Sequence, residues 1–166
     1  MSAADLWRFS LDRYGRDGVQ PLCLRLQDEH RADINLVLFA LWTGSQQLAI
    51  SGQQAAGEIT EAVADWHAQA VVPLRGVRRS LKNRDFPDPE ARDALRAAIQ
   101  KSEIEAERLE QVLLQALFDA QRDRLFTAST ADPDAVMAAN AMLFCKPDPD
   151  GNDAESLVAD LVTRCR

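Results

Sequence analysis

Two strongly apolar runs, Pro21 to Leu26 and Ile34 to Trp42, flank a dense polar knot, Gln27-Asp28-Glu29-His30-Arg31-Ala32-Asp33. The second run is too short to cross a bilayer and too apolar on every side for a surface helix. It is therefore expected at the centre of a soluble core, with most of the chain wrapped around it. The surrounding pattern is helical. Ser2 is a suitable N-cap for a first helix presenting Leu6, Trp7, Phe9, Leu11 and Tyr14 before Gly15 stops it. Gly18 and Pro21 frame a second, with Val19, Leu22, Cys23 and Leu26 at spacings of three and four. Asp33 is placed to cap the third, which should fade near Gly44, and Ser45 to Gly57 reads as a polar loop pinned by Leu48 and Ile50.

A fourth helix is predicted over about 58–74, with Ile59, Val63, Trp66 and Ala70 facing inward. Pro73 makes residues 74–81 a kinked continuation. Asp88 followed by Pro89 opens the longest helix, about 88–122, on which Leu95, Ile99, Ser102, Ala106, Leu109, Leu113, Leu117 and Ala120 fall in one sector, the expected packing seam. Asp132 and Pro133 start another helix carrying Val136, Met137, Met142, Leu143 and Phe144. Pro147 to Gly151 breaks the chain before a short terminal helix with Leu157, Val158, Leu161 and Val162. No segment sustains an alternation of period two. The fold class is all-α, an irregular single-domain bundle of about seven helices spanning residues 1–166.

Composition narrows the functional classes. With 19 basic and 26 acidic residues the net charge is -7, which opposes duplex nucleic acid. Three widely spaced cysteines, Cys23, Cys145 and Cys165, signal neither a disulfide framework nor a zinc cage and read as reduced thiols of a cytoplasmic protein. No charged start followed by an apolar run suggests export or membrane insertion. Glycine-rich phosphate loops, Gly-x-Ser-x-Gly and His-Glu-x-x-His are absent, so no catalytic residue, metal ligand or cofactor is assigned.

Three constellations remain. The Asp28-Glu29-His30-Asp33 knot does not converge on one point and reads as a solvated turn with capping carboxylates and a half-buried histidine. Asn35, inside the apolar run, must find partners for its amide. Arg75, Arg78, Arg79, Lys82 and Arg84 place five cations in ten residues; they either complement a helix C-terminus and pair with acids on the long helix, or form a small-anion site. Glu103, Glu107 and Glu110 share one flank of that long helix, as metal-binding bundles present carboxylates, but both histidines, His30 and His67, lie on other elements. The binding residues so singled out are Arg75, Arg78, Arg79, Lys82, Glu103 and Glu107.

The chain resembles an uncharacterised family of short bacterial proteins. The resemblance rests on Trp7 to Tyr14, Gly18-Val19, Cys23-Leu24, Leu26-Gln27-Asp28 and Asp33 to Leu38, then Trp66, Pro73-Leu74-Arg75, Arg78 to Lys82 and Glu105 to Arg108. It implies a cytoplasmic helical protein and supplies no activity. A fainter similarity, over Trp66 to Lys82 and the acidic helix, is to squalene and phytoene synthases, which hold magnesium diphosphate on aspartate-rich helices. The chain lacks their Asp-x-x-x-Asp pair and is short for a prenyl cavity. The leading expectation is thus a non-catalytic interaction or regulatory module whose partner is another protein. Its alternative is a phosphate- or diphosphate-binding protein or a degenerate prenyl-synthase-like enzyme.

Overall fold

The computed structural model describes residues 5–146 and 153–166. Eight α-helices run in chain order: α1 (Leu6–Tyr14), α2 (Val19–His30), α3 (Ile34–Ser45), α4 (Gly52–Trp66), α5 (Val72–Lys82), α6 (Pro89–Leu125), α7 (Pro133–Met142) and α8 (Ala154–Arg164). A π-helical segment, His67–Val71, joins α4 to α5 without a break, so the described helices form seven rods. The expected Ser2 cap and the Pro147 to Gly151 breaker lie outside the described residues. Within them Asp5 caps α1 by accepting the N–H of Trp7.

The apolar run takes the central position its composition demands. Asp33 caps α3 through the N–H of Asn35, and every residue from Asn35 to Gly44 is buried. Phe39 is tilted against Trp42 and meets Phe118 of α6 and Phe126 edge-on, and Trp42 meets Phe118 edge-on at 4.8 Å between ring centroids. Such arrangements match the quadrupoles of the rings. α7 lies tightly along α3, where Gly44 allows the backbone of Met137 to approach.

Two expectations are corrected. The loop over residues 45–57 contains a short strand, β1 (Leu48–Ile50), paired antiparallel with β2 (Phe126–Ala128) in the register Leu48 to Ala128 and Ile50 to Phe126, and α4 begins six residues earlier than the sequence suggests. Three residues are too few to display an alternation. Asn140 of α7 holds this ladder in place, accepting the N–H of Ile50 at 2.9 Å and donating to the Leu48 carbonyl at 2.8 Å. The second correction concerns the phase of α6. Of the predicted seam only Ala106 is buried, whereas Leu95, Leu109 and Leu113 are exposed. The face that packs inward carries Glu103, Ala106, Glu110, Gln111, Leu114 and Phe118. It combines apolar and polar side chains, so its hydrophobicity does not reveal it.

Candidate functional site

Burying carboxylates and amides on α6 requires partners for each of them, and those partners come from α1, α3, α5 and the π segment. Toward the N-terminal half of α6, Arg75 donates from Nε to Glu103 at 3.2 Å and from its terminal nitrogen to Glu107 at 2.7 Å, while Arg78 grips both oxygens of Glu103. The Glu103 side chain is 6% exposed. Burial works against its ionisation, but Arg78 and Arg75 outweigh that and hold its carboxyl below the usual range. Glu107 goes the other way. Burial, with Glu103 and Asp33 nearby, raises it, and Arg75 opposes the shift without cancelling it. Two guanidiniums serve Glu103 and one serves Glu107, which accounts for the contrast. Arg79 reaches Asp28 at 3.5 Å on the surface.

One turn further along α6 lies a second cluster, which sequence spacing does not disclose. Nδ1 of His67 stands 2.9 Å from Asp33 Oδ2 and 3.1 Å from Glu110 Oε1. The other oxygen of each carboxylate is engaged by Asn35: its backbone N–H reaches Asp33 Oδ1 at 2.9 Å and its side-chain amide reaches Glu110 Oε2 at 2.7 Å. Asn35 in turn accepts from Gln111 at 2.8 Å, and Gln111 accepts from the hydroxyl of Ser10 at 2.9 Å. The unusual Asn35 of an apolar helix is therefore a fully used bridge between α3 and α6. Hydrogen bonds that the ring donates to Asp33 and then to Glu110 push the His67 imidazole up to about 10, against burial. Burial tends to raise Asp33, but His67, Glu110 and the Asn35 N–H together hold it below the usual range. For Glu110, burial is the largest effect and, with the Asp33 charge, leaves it raised. Asp33, His67 and Glu110 are also of the residue types that hold metals, and their donor atoms lie within 4.8 Å of one another.

Two cavities flank these clusters. A cleft of about 370 Å³ between α1, α2, α3 and α6 has Arg75, Arg78, Glu103 and Glu107 at its polar end and Trp7, Leu11, Tyr14, Leu24, Leu38 and Ile104 along its walls. A cavity of about 460 Å³ on the other side is bordered by Asp33, His67, Arg31, Arg75, Cys145 and Lys146. Arg75 faces both. Of the residues singled out from sequence, Arg75, Arg78, Arg79, Glu103 and Glu107 come together at the cleft, and Lys82 lines neither cavity. Glu110, expected on the same flank as Glu103 and Glu107, is directed instead to His67 and Asn35. His30, expected to be half-buried, is fully buried, with Nδ1 3.0 Å from the Lys146 carbonyl.

A model of the family described as protein of unknown function (DUF2390) matches residues 5–114. The chain belongs to that family. The DUF2390 match takes in every residue of both clusters, from Ser10 to Gln111, and ends inside α6, so α7, α8 and β2 lie beyond it. No curated protein and no solved structure matches the chain. Among the described residues, no helix is long and apolar enough to cross a membrane.

Proposed function

We propose that this DUF2390 chain is a non-catalytic interaction module of the bacterial cytoplasm, and that the cleft between α1, α2, α3 and α6 receives apolar side chains from a helix or tail of a partner protein. The observation that carries this reading is the cleft's lining. Leu11, Leu24 and Ile104 on its walls remain 56%, 41% and 45% exposed, adjoining the rings of Trp7 and Tyr14. Apolar side chains grouped around a groove with a polar end are what helix-in-groove recognition uses. A free phosphate or diphosphate at Arg75, Arg78, Arg79 and Lys82 has less support, because the guanidiniums of Arg75 and Arg78 are already neutralised by Glu103 and Glu107.

The test is capture from the native cytoplasm with the tagged wild-type chain and with a Leu24→Asp, Ile104→Asp double variant. Both positions are exposed, so the variant should fold. A protein retained by the wild type and lost by at least tenfold in the variant is the expected result. Equal recovery of every retained protein would remove the cleft from the functional account.

A further inference from the structure

The Asp33, His67 and Glu110 cluster is built differently from an ordinary buried ion pair. Both carboxylates address the same imidazole nitrogen, Nδ1, at 2.9 and 3.1 Å. One N–H is shared between two acceptors, and the two acidic side chains lie close enough to hydrogen-bond each other, so three donor-type groups converge on one point. Nitrogen-to-oxygen separations of about 3 Å, with all three donor atoms inside 4.8 Å, match neighbouring ligands around a small cation with bonds of about 2.0 to 2.2 Å. Each carboxylate also has one oxygen fixed by Asn35, at 2.9 and 2.7 Å, and the other aimed at the shared point. That division between an orienting and a ligating oxygen is the support that metal ligands receive from their surroundings. The backbone contributes as well, since the π-helical segment starts at His67 itself and such segments are frequent at functional sites.

From this geometry we infer that Asp33 Oδ2, His67 Nδ1 and Glu110 Oε1 form a three-ligand site for a divalent first-row transition metal such as zinc. Two carboxylates balance the charge of the ion, and one imidazole with two oxygens suits zinc, manganese or iron(II) more than calcium or magnesium. Glu110 is fully buried and closes the back of the site, while Asp33 and His67 line the 460 Å³ cavity. The remaining coordination positions therefore face that cavity, beside Arg31, Arg75 and Lys146. The inference concerns a cavity other than the partner cleft and stands independently of it.

Zinc titration of the chelator-treated chain tests it. Calorimetry should show saturable one-to-one binding, weakened at least tenfold in His67→Gln and also weakened in Asn35→Ala, which removes support without removing a ligand. Cys145→Ser, at the thiol that borders the same cavity, should bind as the wild type does. Because the chain has only two histidines, imidazole nitrogen NMR gives a reading on the wild-type protein even if a variant fails to fold: zinc should shift the His67 nitrogens and leave those of His30 in place. Absence of saturable binding, binding that survives in folded His67→Gln, loss of binding in Cys145→Ser, or a spectrum in which His67 does not respond would each overturn the assignment.

Discussion

At the scale of single residues, burial decides what the charges on α6 can do. An exposed pairing of Arg75 and Arg78 with the α6 glutamates would be worth about 1 kcal/mol or less per pair. The Glu103 side chain is almost entirely covered, however, so losing its partners would strand a buried carboxylate. Arg75→Gln together with Arg78→Gln should therefore lower stability by on the order of 3 kcal/mol, near the lower end for broken buried pairs. Adding Glu103→Gln should restore most of that, because the stranded charge is gone. Chemical denaturation of the three chains measures both changes, and a double variant as stable as the wild type would show that solvent already shares the Glu103 site. The basic segment itself was legible as a charge cluster, and so was its pairing with the long helix. What spacing could not supply was the division of labour, in which Glu103 and Glu107 serve the arginines and Glu110 turns to His67 across another element.

At the scale of elements, capping and periodicity placed most helices, and the chemistry of the exceptions explains the rest. Asp33, Asp88 and Asp132 cap the helices the sequence assigns to them. Hydrophobic periodicity gives the wrong phase for α6 because leucines at 95, 109 and 113 outweigh glutamates and glutamine in any hydrophobic count, although it is the polar set that is satisfied in the interior. The β1–β2 pair was invisible for a different reason: its partner strands are 76 or more residues apart and are held by an asparagine on a third element. Close packing of α3 on α7 depends on Gly44, where an added Cβ would sit 2.5 Å from Met137 Cα. Gly44→Ala should cost about 1–3 kcal/mol as overpacking against backbone. Gly57→Ala and Gly76→Ala, in helix interiors with nothing within 4 Å, should instead be neutral or stabilising by up to about 1 kcal/mol. Urea midpoints of the three variants separate these outcomes, and a Gly44→Ala chain that unfolds with the wild-type midpoint would mean that α3 and α7 can part without loss.

At the scale of the molecule, one apolar helix organises the core and one polar face of α6 organises everything that could act as a site. Because α3 is buried along its length, α1, α2, α6 and α7 all pack against it, and the cleft opens among α1, α2, α3 and α6. The resulting surface is asymmetric: the cleft presents Leu11, Leu24 and Ile104 beside a neutralised arginine and glutamate network, whereas Val112 on the same α6 lines neither cavity although it is 48% exposed. That contrast provides the most direct measurement of whether the cleft is the place of recognition. A photocrosslinking amino acid placed at position 104 in one chain and at position 112 in another, each irradiated in the native cytoplasm, should yield a discrete protein adduct from 104 and none from 112. Adducts of the same protein in equal yield from both positions, or none from 104, would contradict the account.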